Sequence, residues 1–91
     1  MTYTIKPSAK FAKDLKRVHK RGWKIASLTD IVKQLAAGKK LSVRHRDHDL
    51  VGNFTGLREC HIEPDWLLIY DMDSENLMLY LVRTGSHSDL Y

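Results

Sequence analysis

The chain contains little cysteine or proline and no long apolar run. Its single cysteine, Cys60, excludes an internal disulfide, and nothing in the composition argues for export. The longest apolar run, residues 66–70, is far shorter than the ~20 residues that a membrane-spanning helix needs. The N-terminus also lacks the charged-then-apolar layout of a signal peptide. We therefore expect one cytoplasmic domain covering residues 1–91, without a membrane partner.

Acidic residues are scarce in the first half of the chain. Residues 1–48 carry 13 Lys/Arg against 3 Asp/Glu, whereas residues 49–91 carry 2 against 8. Such a division favours one face that binds polyanions such as RNA. A basic helix that is merely solvated, or one that binds an acidic protein, would give the same balance, so charge alone leaves these alternatives open.

Hydrophobic periodicity predicts a strand and then two helices in the basic half. Residues 2–6 alternate as a short strand, and Ser8 is a typical N-cap for a helix that ends at Gly22. Ser27 is expected to cap a second helix, which has a clear apolar stripe and ends at Gly38. The short link between the two predicts an antiparallel helical hairpin.

The second half is typical of strands. Residues 39–53 have no period and are predicted to form a long polar loop. Strands are predicted over 54–62, 66–71 and 77–84, and the tail that follows is expected to form a loop or a single helical turn. Short links make these three strands antiparallel. The fold class is therefore α+β, with an N-terminal strand and a helical hairpin packed on an antiparallel sheet.

Four of the five histidines lie outside the predicted helices: His45, His48, His61 and His87. Imidazoles titrate near neutrality, so histidines that converge can form an acid–base site. Strand alternation places Glu59 on the same face as His61, and Asp65 follows at the next turn. Isolated surface histidines are more often inert, so spacing alone leaves this interpretation open.

Other special residues favour structural roles. The spacing of the histidines matches no recurring zinc pattern, so no metal or other cofactor is expected. Cys60 shares a strand face with Ile62 and is interpreted as a small buried hydrophobe. Trp66, Leu68 and Tyr70 are interpreted as core rather than as a platform for stacking bases.

Three sequence blocks resemble a known family. Residues 46–52 read RDHDLVG, residues 58–70 read RECHIEPDWLLIY, and the chain closes with RTGSH at 83–87 and an aromatic, Tyr91. Together they strongly resemble the YafQ-like toxins of the RelE/ParE superfamily. The strand and helical hairpin also suit that superfamily, so the resemblance covers nearly the whole chain.

The resemblance implies the toxin of a type II toxin–antitoxin system. Such a toxin is an endoribonuclease (an mRNA interferase) that cleaves mRNA in the ribosomal A site and needs no cofactor. A DinJ-like antitoxin neutralises it, and the toxin–antitoxin complex is expected to bind operator DNA. The implied catalytic residues are His48, His61, Asp65 and His87, and the implied substrate-binding residues are Arg83 and Tyr91. Glu59 stands where relatives commonly carry Asp, so it is not counted as catalytic; Asp49 stands where Pro is common.

On this reading His87 is the general acid, and His48 or His61 is the base. Asp65 would orient one of the two candidate bases, Arg83 would contact the scissile phosphate, and Tyr91 would stack on a base. The first helix would hold ribosomal RNA through its basic residues: Lys10, Lys13, Lys16, Arg17 and Lys20. Two alternatives remain at this point: a ParE-like toxin that inhibits gyrase, and a basic nucleic-acid-binding module without enzymatic activity.

Overall fold

The N-terminal strand and the first helix both form, but the strand starts and ends later than the predicted residues 2–6 and includes Pro7. In a computed structural model, which describes residues 2–91, strand β1 covers Thr4–Pro7 and helix α1 covers Ala9–Lys20. The hydroxyl of Ser8 accepts a hydrogen bond from the Phe11 amide at 3.0 Å, which satisfies a free donor of the first turn. Gly22 follows the last turn with φ +80°, a conformation that residues with a Cβ rarely adopt.

Helix α2 covers Ile25–Ala36, so it begins before Ser27, and the predicted serine cap is wrong. The residue at the N-cap is Lys24, whose side chain makes no capping bond. Ile25 instead packs against the core, so burial of its side chain favours the earlier start over the serine cap. The helix ends as predicted before Gly38, which has φ +74°.

The predicted loop over residues 39–53 contains more structure than its sequence suggests. Single 3-10 turns form at Val43–His45 and Gly52–Phe54, and strand β2 covers His48–Asp49. The following strand, β3, covers Arg58–Glu63, so residues 54–57 are not part of it. No local period shows β2, because β2 exists only through its pairing with β3.

Three further elements complete the chain: strand β4 (Trp66–Asp73), strand β5 (Met78–Gly85) and the one-turn helix α3 (His87–Leu90). The sheet order is β1-β5-β4-β3-β2. The predicted antiparallel pairing of β3, β4 and β5 is confirmed, but β1 joins the edge of β5 in parallel, so the sheet is mixed. The long chain between these two strands permits parallel pairing, which a short link would not.

The core lies on both faces of the sheet. Helices α1 and α2 cover one face, on which Cys60, Trp66, Leu68 and Tyr70 are buried, as predicted. Burial raises the pKa of the Cys60 thiol to about 12, so this thiol remains protonated near neutrality. On the other face the C-terminal turn lays Leu90 over a smaller apolar cluster. None of the helices within residues 2–91 has the length and hydropathy needed to span a bilayer.

Candidate active site

Sheet register assembles the candidate site on the face opposite the two long helices. Residues directly opposite each other on paired strands point to the same face. His48 pairs with Glu59, and Glu59 pairs with Ile69. In the next row His61 pairs with Leu67. Side chains from β2 and β3 therefore converge, although up to 13 residues separate them in the chain.

Glu59 lies at the centre of this site. The residue is only 4% exposed. Its Oε1 lies 3.9 Å from Nε2 of His48 and 3.7 Å from Nε2 of His61, and its Oε2 accepts a 2.5 Å hydrogen bond from the Tyr91 hydroxyl. Burial and this bond to a carboxylate raise the pKa of Tyr91 well above its usual value. Glu59 was not predicted as a functional residue, and its alternation with His61 was the only sequence signal for it.

The three histidines implied by the resemblance lie side by side. Ring centroids of His48 and His61 are 6.4 Å apart, and those of His61 and His87 are 5.8 Å apart. The ring of Tyr91 follows at 6.3 Å from that of His87. Side chains of His48 and His87 are about half exposed, at 47% and 54%, whereas that of His61 is 11% exposed. This histidine cluster (His48, His61 and His87) thus lies on an open surface that a polymer can cross.

Asp65 contacts His87. Its Oδ1 lies 2.6 Å from Nδ1 of His87 and accepts a 3.0 Å hydrogen bond from the backbone amide of the same residue. These two bonds hold the pKa of Asp65 below its usual value. A carboxylate on Nδ1 favours protonation of that nitrogen, and Nε2 is the ring nitrogen that makes no bond to Asp65. The structure therefore pairs Asp65 with the predicted acid and not with a candidate base, because the β3–β4 turn lies beside the end of β5.

Arg83 makes its polar side-chain contacts with α1 rather than with the histidine cluster. Its Nε and Nη2 donate to the carboxylate of Asp14 at 2.6 and 3.1 Å, and the Thr84 amide donates to the same carboxylate at 3.1 Å. This pairing raises the pKa of the Arg83 guanidinium. Within residues 2–91, no hydrogen bond or ion pair joins Arg83 to a histidine. Strand β1 pairs only with residues 78–81 of β5. Further along β5, the Asp14 carboxylate on α1 accepts the Thr84 amide, which has no neighbouring strand in the described part of the chain to pair with on that side.

Asp14 was missed by sequence reasoning. It is 1% exposed, and it lies on the buried face of α1 beside Phe11 and Val18. The available signal was its position three residues after Phe11, where the helical period requires an apolar side chain. A carboxylate there indicates a buried partner, but the sequence does not show that the partner is Arg83.

A second set of contacts fixes the loop that carries His48. Arg58 donates to Asp49 at 2.5 Å and lies 3.1 Å from Asp47, while the Tyr70 hydroxyl donates to Asp47. The hydrogen bond from Arg58 to the Tyr70 hydroxyl, and then the contact with Asp47, raise the pKa of Arg58. Asp49 is therefore an ionic anchor for this loop. His45 is buried and its Nδ1 bonds to the His61 carbonyl at 2.6 Å, which makes it a structural residue outside the histidine cluster.

Basic side chains lie in a cleft beside the site and on the exposed surface of α1. A cleft of about 460 Å³ adjoins His61, and its lining includes Arg44, Arg46 and Glu63. On α1 the four predicted lysines, Lys10, Lys13, Lys16 and Lys20, are exposed. Arg17 is less free, because it lies 3.5 Å from Asp14 and 3.6 Å from Asp89. The candidate site therefore has the cationic side chains of Arg44 and Arg46 beside its acid–base groups, whereas the lysines of α1 belong to the helical layer on the opposite face of the sheet.

Comparisons with known proteins identify the family. Residues 3–91 match the family model described as bacterial toxin of type II toxin–antitoxin system, YafQ. The mRNA interferase toxin YafQ of Escherichia coli K12 is 34% identical over 88 residues, covering 96% of this chain and 94% of the relative. The chain belongs to the YafQ family. It is therefore a type II toxin and, as a member of that family, an mRNA interferase, that is, an endoribonuclease.

Solved structures agree with the fold. The crystal structure of a metal-bound toxin from Helicobacter pylori is similar with a TM-score of 0.91, at 42% identity, over the whole of both chains. The toxin in the crystal structure of the E. coli DinJ–YafQ toxin–antitoxin complex gives a TM-score of 0.90 at 33% identity, over 100% of this chain and 99% of that one. The predicted α+β toxin fold is confirmed, and the family selects the ribonuclease over the gyrase-inhibiting and non-enzymatic alternatives.

Proposed function

We propose that this toxin cleaves mRNA in the ribosomal A site by acid–base catalysis at the histidine cluster, without a metal. The observation that supports it best is the juxtaposition of His48, His61 and His87 with two carboxylates, one on each side. Attack by the ribose 2′-hydroxyl requires a base for its proton and an acid for the departing 5′-oxygen. Imidazoles from separate elements, about 6 Å apart, can serve as both.

His87 is the proposed acid. With both ring nitrogens protonated, Nδ1–H donates to Asp65, which fixes the ring, and Nε2–H supplies the proton that passes to the leaving 5′-oxygen. His48 or His61 is the proposed base. The Glu59 carboxylate lies less than 4 Å from both and would stabilise the imidazolium that forms when either accepts the 2′-hydroxyl proton. We therefore add Glu59 to the proposed site.

Arg83 and Tyr91 have proposed roles in substrate binding. The aromatic face of Tyr91, 62% exposed, can stack on a base while its hydroxyl holds Glu59. Arg83 binds Asp14 through Nε and Nη2, and its remaining nitrogen, Nη1, makes none of the bonds to Asp14. This nitrogen is the group proposed to reach the RNA phosphate.

The residues present do not match a metal site. Within residues 2–91 there is no group of three or more His, Cys, Asp or Glu side chains placed to hold a metal ion. A relative from H. pylori has been solved with a metal bound, whereas the proton transfers proposed for this chain use side chains alone. Cleavage without a metal remains a prediction for this chain.

The proposed partners follow from the family. By analogy with the DinJ–YafQ complex, we propose a DinJ-like antitoxin for this chain and operator DNA as the ligand of the joint complex. The ribosome and its bound mRNA are the proposed targets, which places the activity in the cytoplasm.

The decisive experiment maps mRNA ends after the purified toxin is added to translating ribosomes. We expect new 5′ ends at A-site codons, and none on the same mRNA without ribosomes. To test whether cleavage needs a metal, the isolated toxin is treated with the chelator EDTA before the toxin is added to the ribosomes. We expect cleavage to persist after this treatment. An absence of new ends, or equal cutting of free mRNA, would contradict the ribosome-dependent mechanism.

The exposed lysines of α1 give a second prediction. Replacing Lys13 and Lys16 together with alanine should weaken ribosome binding most at low salt, because counterion release is strongest there. If each lysine meets one phosphate, the slope of log affinity against log salt should fall by about 1.4–1.8 in magnitude. Binding is measured by sedimentation over a salt series. Replacing Lys33 and Lys39 is the control with equal charge, and an unchanged slope in the Lys13/Lys16 variant would exclude the proposed contact.

A further inference from the structure

We propose that Arg21 and Asp89 are positioning residues that hold the C-terminal turn (residues 85–91) in the geometry His87 and Tyr91 need for cleavage. This inference rests on the proposed function, because it assigns those two side chains to the reaction. Neither Arg21 nor Asp89 touches the histidine cluster, so both would act through the turn that they fix.

The Arg21–Asp89 pair is a two-point contact. Arg21 Nη1 donates to Asp89 Oδ2 at 2.6 Å, and Nη2 donates to Oδ1 at 2.8 Å. Parallel bonds between a guanidinium and a carboxylate fix direction as well as distance, which a lysine cannot reproduce. Arg21 holds the pKa of the Asp89 carboxyl well below its usual value, so the pair is fully charged near neutrality.

The Asp89 carboxylate also caps the N-terminus of α3. Asp89 accepts a 2.8 Å bond from the Ser86 amide, and the Ser86 hydroxyl accepts one from the Asp89 amide at 3.2 Å, which completes a capping box. Gly85, at φ +153°, makes room for this fold, since a Cβ there would lie 2.7 Å from Asp89 Oδ2. Asp89 therefore joins the local turn to the distant α1 through one group.

The other end of the contact is anchored in the core. The guanidinium carbon of Arg21 lies 5.2 Å from the centre of the Trp23 ring, and Trp23 in turn packs on buried Trp66 at 5.1 Å. A cation held over an aromatic face gains electrostatic stabilisation and loses freedom of movement. A continuous series of contacts therefore runs from the core through the two tryptophans and Arg21 to Asp89 in the turn.

The turn needs such support because it is too short to be stable alone. Helices of fewer than ~12 residues are marginal in isolation, and α3 has 4 residues. Leu90 is its sole residue in the core. The turn presents His87 to Asp65 at one end and Tyr91 to Glu59 at the other, so fraying would move both groups at once.

The test compares cleavage on translating ribosomes by single variants. Arg21→Ala should lower kcat about tenfold and change KM less than threefold, and Arg21→Lys should recover only part of kcat. Lys33→Ala, which removes an equal charge from α2, and Ser88→Ala, on the exposed side of the turn, are the matched controls. Hydrogen exchange of the His87 and Tyr91 amides is measured on the same proteins, and it should accelerate only in the Arg21 variants.

A double-mutant cycle separates positioning from general electrostatics. Asp89→Asn keeps an oxygen for the cap but loses the charge that Arg21 binds. If the two residues act as a pair, the Arg21→Ala/Asp89→Asn variant should lose no more kcat than the worse single variant. Losses that multiply, or wild-type kcat and exchange in Arg21→Ala, would overturn the proposal. If the wild-type toxin itself cuts no mRNA, the proposed function fails instead, while the exchange data still test whether the pair holds the turn.

Discussion

Replacing His87 with alanine should lower mRNA cleavage on ribosomes by about 10²–10⁴-fold, the usual contribution of one general acid or base. The ring is 54% exposed, and its polar contact with the rest of the chain is the bond to Asp65, so its loss should leave the fold intact. The backbone amide of residue 87 can still donate to Asp65 in the variant. The measurement is single-turnover cleavage of mRNA on stalled ribosomes.

The control for this prediction is His19→Ala. His19 is an exposed histidine on α1, outside the histidine cluster. It tests whether loss of any surface imidazole affects the assay, and we expect cleavage close to wild type. Circular dichroism and antitoxin binding should be unchanged in both variants. Full activity of His87→Ala would remove the proposed acid, and an equal loss in His19→Ala would point to a defect in binding rather than in proton transfer.

Replacing Asp14 with alanine should lower the free energy of unfolding by about 2–3 kcal/mol, a large share of the stability of so small a domain. The Asp14 carboxylate is buried and is the acceptor for the Thr84 amide at the edge of β5. Removing it leaves that amide without a partner and frees Arg83. Because the Arg83 side chain is 20% exposed and can turn toward water, the cost stays below that of breaking a fully buried pair.

Urea unfolding at neutral pH measures this loss. Asp30→Ala is the matched control, since Asp30 is an exposed helical carboxylate whose contact is an i,i+4 hydrogen bond with Gln34. That variant should stay within about 0.5 kcal/mol of wild type. A loss from Asp14→Ala no larger than that of the control would show that the edge of β5 does not depend on this carboxylate.

Much of the fold could be predicted because the signals are local. Ser8, Gly22 and Gly38 mark helix boundaries through the backbone conformations that their side chains favour or permit. The apolar runs of β4 and β5 indicate strands covered on both faces, and both are central strands. The start of α2 was mispredicted at Ser27, because packing of Ile25 outweighed the cap.

The candidate site was predicted less completely, since its geometry depends on register. His48, His61, Asp65 and His87 were named through the resemblance, and the structure brings them together. Glu59 was set aside because the resemblance indicates Asp at that position in relatives, and no local pattern shows that β2 pairs opposite it or that Tyr91 returns to it. The partner of Asp65 was also mispredicted: it was expected to be one of the candidate bases, and it is the proposed acid, His87.

By itself the sequence determined the types of the longer elements, the division between a basic and an acidic half, and the residues able to move protons, because these depend on side-chain chemistry and short-range periodicity. Only the tertiary structure decided which of those residues meet. Strand register, the parallel edge made by β1 and the folding back of the last seven residues bring together groups that are distant in the chain, and the energies that select these contacts come from burial and pairing across the whole domain.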